Sequence, residues 1–308
     1  MSKSKHLKLS KPVIGLTSLF FWEYPIEEIV DIVRELELSC FEFVVENPEF
    51  WKNRYDEDYL KNLKKEMLKI KHLCVHAPYI ELNPASTNEN LRNITLEETF
   101  WALNVAKFYE AKHMVFHAGQ RSAKRLPRIN EEYAYLSNYI RLCCKLNEYV
   151  DYRDLESVQQ IDELISNELI LSVENSPQGI NKLCKTPEEI NYYLNKYEKL
   201  RFTLDFVHAR THVEEFLKNV DTSKISNVHI SGVNSKDTDH YSLKNSEEPY
   251  KSLFEKSIYD LVHKYNYKSS IILEFNDLLY NNGNDMTKKQ KMDTISGELN
   301  HIRNVLEI

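Results

Sequence analysis

A (β/α)8 TIM barrel, of class α/β, is the fold this sequence predicts, and three observations carry that reading. Eight short β-branched or aromatic runs alternate with longer amphipathic stretches along the whole chain. No Gly/Ser/Pro-rich linker interrupts the alternation, so it reads as one barrel domain over residues 1–308. The loop after the first run, Ser18-Leu19-Phe20-Phe21-Trp22, lacks a phosphate fingerprint, whereas a doubly wound sheet would usually carry a Gly-rich first turn and fewer strands.

Taken in order, the strands are expected near Val13–Phe20, Cys40–Val45, Leu73–Tyr79, His113–His117, Leu169–Glu174, Arg201–Asp205, Ser226–Ile230 and Ser270–Phe275. Between the first two, Ile26, Ile29, Val30 and Val33 fall on one helical face. Ahead of the fourth, Thr95 and Glu98 have capping-box spacing and suggest a helix start. Ahead of the sixth, Thr186-Pro187-Glu188-Glu189 places proline and two acids in a first turn. The stretch of about 130–167 exceeds a normal crossover and predicts two helices or a longer helical excursion.

Composition narrows the function classes. With 42% hydrophobic residues in 308, the chain can bury a sizeable core. Forty basic against 47 acidic side chains give a net charge of −7 with the signs interspersed, which disfavours a general grip on duplex DNA. A bound cluster of divalent cations would still reverse the sign of a cleft locally. The five cysteines, Cys40, Cys74, Cys143, Cys144 and Cys184, show no paired metal-knuckle spacing, and their odd number argues against a disulfide framework. They read as reduced, mostly buried thiols. No run approaches the ~18 apolar residues of a membrane span. Met1–Lys11 lacks an apolar signal core, so a cytoplasmic protein is expected.

The chemistry is concentrated at strand ends. The third to eighth strands each carry a metal-competent residue at or near the C-terminal end: His76, His117, Glu174, Asp205, His229 and Glu274. Eleven histidines and 47 acids in 308 residues make such a type roughly one position in five, so six in succession, where a barrel builds its active site, is poorly explained by chance. Imidazole nitrogen and carboxylate oxygen together suit Zn2+, Mn2+ or Fe2+, and the absence of cysteine among them points to a catalytic site rather than a structural zinc site. His208, three residues after Asp205, and His240, in the loop after the seventh strand, extend the set. His6, His72, His113, His212, His263 and His301 lie at element starts or on polar faces and read as solvated.

The phrases around these residues resemble the xylose-isomerase-like barrel superfamily, of the endonuclease IV and sugar phosphate isomerase-epimerase type. They are Val75-His76-Ala77-Pro78-Tyr79 with Asn83 after it, Phe116-His117-Ala118-Gly119, Val173-Glu174-Asn175, Leu204-Asp205-Phe206-Val207-His208-Ala209, Val228-His229-Ile230 and Leu273-Glu274. The resemblance covers roughly 73–275. Its endonuclease IV branch implies three zinc ions, with Glu174 bridging and the histidines as terminal ligands, for phosphodiester hydrolysis. Its sugar isomerases and epimerases imply one metal held by Glu174, Asp205, His229 and Glu274. Two departures stand out. The branch's Asp-x-His phrase becomes Asp237-Thr238-Asp239-His240, and the glycine-rich turn after it becomes Lys244-Asn245-Ser246-Glu247-Glu248.

The presence of His76, His117 and His240 beyond the four-ligand set favours the multinuclear, hydrolytic pattern, with a phosphate-ester or phosphoribosyl-containing small molecule as substrate. There a cation cluster would activate water and neutralise the phosphate oxygens, with Glu174 and Glu274 as the catalytic carboxylates and His76, His117, His208, His229 and His240 as neutral ligands. Arg121 and Lys124 are candidates for reaching a substrate phosphate. The alternative is a single-metal isomerase or epimerase in which Glu174 and Glu274 pass a proton on and off a carbon. A non-catalytic binding protein is the third reading, disfavoured by so complete a ligand set. Phe20, Phe21, Trp22, Trp51 and Tyr79 are candidates for walling a pocket.

Overall fold

A computed structural model describes residues 11–121, 129–149, 169–280 and 285–308. Eight parallel strands close into a barrel in sequence order: β1 Val13–Thr17, β2 Cys40–Val44, β3 His72–His76, β4 His113–His117, β5 Ile170–Glu174, β6 Arg201–Asp205, β7 Ile225–Ile230 and β8 Ser270–Leu273. The closing pair is β1 with β8, in the register Val13↔Ser270 to Leu16↔Leu273. Around the barrel run α1 Ile26–Glu35, α2 Pro48–Asn53, α3 Glu57–Met67, α4 Glu89–Phe108, α5 Ile129–Tyr149, α6 Pro187–Lys196, α7 Phe206–Ala209, α8 Val213–Asn219, α9 Tyr250–His263, α10 Asp277–Tyr280 and α11 Lys288–Leu306.

Strand alternation separates two layers. On β2, Phe43 faces out and packs edge-on against Phe50 of α2, with ring centroids 4.5 Å apart, while Glu42 faces in and meets His229 of β7. The outer layer is sealed by helix faces such as Ile26, Ile29, Val30 and Val33 of α1, all fully buried. The barrel interior is unusually polar. The Ser270 hydroxyl donates to Asn227 Oδ1, and the Asn227 amide donates to Glu42 Oε2 at 2.9 Å. Buried polar groups of this kind are tolerable only when mutually satisfied, so this chain of contacts fixes the inner register.

Several expectations are corrected locally. Thr95 does not start a helix: it lies inside α4, whose N-cap is Asn88, and its hydroxyl donates to Leu91 O while accepting from the Asn83 N–H. Thr186 does cap α6, accepting from the Glu189 N–H. His113 is not solvated: it points into the barrel, where Nε2 and Ser226 Oγ are 2.8 Å apart, and burial keeps its pKa well below the ordinary imidazole value. His72 is only half-exposed, and His263 and His301 contact Leu306 O and Glu255. His212 is exposed beside Glu215, and His6 lies outside the described residues. Of the stretch 130–167, the part up to Tyr149 belongs to α5 and the remainder lies outside the described residues. All five cysteines are free thiols, with Cys144 alone less than buried. Among the described residues no helix is long and apolar enough to cross a membrane.

Candidate active site at the C-terminal ends of the strands

Parallel pairing brings the strand-end residues to one level. His117 pairs in register with Glu174, and Asp205 with His229. Beyond the end of β8, the Glu274 N–H donates to Ile230 O, which carries the ladder one residue further and sets Glu274 beside His229.

Glu174 is the hub. Its Oε2 lies 2.9 Å from His117 Nε2 and 3.6 Å from His76 Nε2, and its Oε1 lies 3.1 Å from His229 Nδ1 and 3.4 Å from His208 Nδ1. His229 Nδ1 is also 2.9 Å from Glu274 Oε2 and 4.0 Å from Asp205 Oδ2. His76 Nδ1 is tied to Ala77 O at 2.9 Å, which leaves Nε2 to face Glu174. Asp205 is held through its backbone by Asn175, whose side chain accepts from the Asp205 N–H and donates to the Asp205 carbonyl. Its Oδ1 caps the short helix α7 by accepting from the His208 N–H, so Oδ2 is left free to face the site.

Charge is strongly coupled here. Burial opposes ionisation of Glu174, but His229 and His117 outweigh it and hold the carboxyl well below its usual range. Burial likewise opposes protonation of His229, yet Glu42, Glu274 and Glu174 lift it well above the ordinary imidazole value. His208 is raised to about 10 against burial, by Asp205 and Glu174. Asp205 goes the other way, pushed up to about 7 by burial and by the neighbouring carboxylates despite His208. His76 is raised as well, to about 9, by the site carboxylates against burial, whereas burial lowers His117.

These residues fit a divalent ion. One donor atom from each of Glu174, Asp205, His229 and Glu274 lies within 4.8 Å of the others, and all four residues are buried. Glu174 Oε2, Asp205 Oδ2 and Glu274 Oε2 are buried without a hydrogen bond of sound geometry, although imidazole nitrogens approach as near as 2.9 Å. Buried carboxylate oxygens so left are open to a cation. The mixed nitrogen and oxygen set suits Zn2+, Mn2+ or Fe2+. A further group, His76, His117 and Glu174, also has donors within 4.8 Å of one another, sharing Glu174 with the tetrad.

A cavity of about 400 Å³ opens beside Glu174, lined among others by Tyr79, His117, Gln120, Lys182 and His208. Its wall depends on Gly119, at φ +77°, where a Cβ would come within 2.4 Å of Asn83 Oδ1. That Asn83 oxygen accepts from the Gln120 N–H, while its amide donates to Gln120 O, so Asn83 braces the loop.

Other expected residues fall elsewhere. Phe20 and Phe21 are core, packed edge-on against each other and, for Phe20, Phe275. Trp51 packs edge-on against Trp101 and lies under the Arg54 guanidinium, and Trp22 does not line the cavity. Only Tyr79 of that aromatic group does. Arg121 turns to Tyr133 of α5, and Lys124 lies outside the described residues. His240 sits at the rim, its Nδ1 near Ser231 Oγ and Glu274 O, and Asp239 is engaged by Arg210 at 2.7 Å. Sequence reasoning missed Glu42, fully buried, whose Oε1 is 2.9 Å from His229 Nε2.

Barrel and donor set together define a TIM-barrel protein with a cation-competent mouth. The chain belongs to the xylose isomerase-like TIM barrel family, whose model matches residues 30–293. An uncharacterised protein of Methanocaldococcus jannaschii is 36% identical over 294 residues, spanning 95% of this chain and 99% of that one. Among solved structures, a D-tagatose 3-epimerase-like protein superposes with a TM-score of 0.72 at 20% identity, covering 96% of this chain and 98% of that one. The D-psicose 3-epimerase of Clostridium cellulolyticum H10, solved with D-tagatose, gives 0.70 at 14% identity, covering 96% and 100%. The hydrolase expectation is corrected by these neighbours, which are sugar epimerases and not hydrolases.

Proposed function

We propose that this chain is a divalent-metal-dependent epimerase or isomerase of a sugar or sugar phosphate, with one cation held by Glu174, Asp205, His229 and Glu274. The observation that carries the reading is the placement of two carboxylates about one point: Glu174 Oε1 and Glu274 Oε2 lie 3.1 and 2.9 Å from the same nitrogen, His229 Nδ1. When bound, the cation supplies Lewis-acid polarisation of a sugar carbonyl or hydroxyl.

The side chains do the proton work. A carbon next to a carbonyl, set between the two carboxylates, loses its proton to one of them and regains one from the other. Return to the same carbon from the opposite face inverts it, which is epimerisation. Return to the neighbouring carbon, with a hydroxyl proton passing to the former carbonyl oxygen, isomerises the sugar. His117 and His208 keep Glu174 ionised and oriented, and burial of the hub excludes competing water. The cavity volume suits a small polar ligand. Gln120 and Lys182 on its wall offer hydrogen-bonding and positively charged groups for hydroxyls or a phosphate.

The test is to load the protein with Mn2+ and offer a panel of ketoses, aldoses and their phosphates in D2O, following products by NMR. Interconversion with deuterium incorporated at the reacting carbon is expected. Interconversion that incorporates no solvent deuterium and persists in Glu174→Gln and Glu274→Gln proteins would overturn the two-carboxylate reading.

A further inference from the structure

Below the tetrad, towards the N-terminal mouth of the barrel, lies a second convergence of metal-competent side chains that the proposed reaction does not use. Cys40 opens β2, and His72 and Cys74 lie on β3 beside it, with Cys40 in register with His72. Sγ of Cys40 and Sγ of Cys74 are 4.0 Å apart, and donor atoms of all three residues lie within 4.8 Å of one another. A tetrahedral zinc with bonds of about 2.3 Å to sulfur has a sulfur–sulfur edge of roughly 3.8 Å, close to the spacing already present. Both thiols are fully buried, and His72 is the one partly exposed member of the cluster.

Two more observations set this cluster apart from ordinary barrel packing. Barrel interiors are usually filled by branched apolar side chains. Here the inward positions of adjacent strands instead hold Cys40, Glu42, His72 and Cys74. On the far side of Cys74, Glu42 and His113 also bring donor atoms within 4.8 Å of its sulfur, and His113 Nδ1 is buried with no hydrogen-bond partner. The strand rise of about 3.3 Å per residue puts Cys74 roughly 7 Å below His76, so an ion here is distinct from one in the tetrad.

We propose that Cys40, Cys74 and His72 form a thiolate-rich site for Zn2+ at the N-terminal mouth of the barrel, separate from the catalytic centre. Both thiols bind as thiolates, so loading releases two protons and leaves a neutral S2N site completed by water. The ion would tie β2 to β3 at the level where Cys40 and Cys74 pack against Ile272 of β8.

Co2+ is the probe, because only thiolate ligation gives an intense sulfur-to-cobalt charge-transfer absorption in the near ultraviolet, and the tetrad holds no sulfur. Reduced, metal-stripped full-length protein titrated with Co2+ is expected to develop that band, saturating at one ion per chain and abolished by one further equivalent of Zn2+ once the tetrad is filled. Cys40→Ser and Cys74→Ser should each remove at least half of it while circular dichroism stays native. His72→Ala, with circular dichroism to confirm that it is folded, should keep a band but weaken cobalt affinity tenfold or more. Absence of the band in folded protein whose five thiols all titrate would overturn the proposal. So would persistence of the band in the Cys40→Ser/Cys74→Ser double variant.

Discussion

Glu42 on β2 and His229 on β7 meet across the barrel, 187 residues apart in sequence, with Oε1 2.9 Å from Nε2 and both side chains fully buried. That contact sets a carboxylate behind the ring, on the side away from Glu174 and Glu274. Nε2 lies towards Glu42, and Nδ1 is the nitrogen nearest Glu174 and Glu274. A carboxylate behind a ligating histidine both orients the ring and strengthens it as a donor. Glu42→Gln keeps the shape but removes the charge, so Mn2+ affinity is expected to fall by about 10- to 100-fold. Calorimetric titration of folded variant and parent checks this, and equal affinities would mean that Glu42 serves packing alone.

Glu174→Gln and Glu274→Gln address the proton transfer. Each substitution removes a base while leaving an isosteric side chain, and loss of such a group costs about 10²- to 10⁴-fold in turnover. Turnover within threefold of the parent in either variant, measured at saturating Mn2+, would remove that carboxylate from the chemistry.

Metal affinity should rise with pH, and the direction follows from the site. His229 is held well above the ordinary imidazole value because Glu42, Glu274 and Glu174 outweigh the effect of burial. A protonated ring cannot ligate, so each ion that binds must displace that proton. The Kd for Mn2+ is expected to fall up to about tenfold per pH unit between about pH 6 and 8, with proton release visible as a buffer-dependent enthalpy. A Kd flat across this range would show that His229 is already neutral.

Chelation should lower thermal stability, and do so more at alkaline pH. An ion that binds only the native state at a hundredfold excess over its Kd stabilises by about 2.7 kcal/mol. In metal-free protein His76 is raised to about 9 and His208 to about 10 by the site carboxylates, against burial. Stability from a raised histidine is full below its unfolded value near 6.5 and is lost as pH climbs through the folded value. The chelated protein's Tm should therefore fall between about pH 6.5 and 10 more steeply than that of the loaded protein, as scanning calorimetry can measure.

The barrel was legible because eight short β-branched or aromatic runs recur between amphipathic stretches, a period that survives the polar residues facing inward. Six strand-end residues could be read off for the same reason: a position at the end of a strand maps directly to the mouth. Glu42 escaped because it lies mid-strand, and its importance rests on a contact with His229 that no local spacing encodes. The Cys40, His72 and Cys74 cluster escaped for a related reason, since it needs the register of β2 against β3. Thr95 misled because a Ser/Thr to Glu spacing is only a helix start where the preceding turn is not already helical, and Asn88 had capped α4 seven residues earlier. Arg121 looked free in sequence, yet the loop turns it to Tyr133.

His76 and His117 decide how many ions the chemistry needs. Both face Glu174 Oε2, at 3.6 and 2.9 Å, while the tetrad is complete without them. If their part is to hold and hydrogen-bond Glu174, replacing both by alanine removes supports but no donor of the tetrad. The double variant should then keep its tetrad cation and lose turnover by about tenfold to a hundredfold, because the carboxylate is less well oriented and less firmly ionised. His117→Gln, which can still donate to the carboxylate, should recover part of the loss. Metal content measured alongside turnover, with circular dichroism to confirm folding, separates the cases. The single-cation site stands if the double variant holds as much Mn2+ as a control bearing neither change, and it fails if the tetrad ion departs together with the two imidazoles.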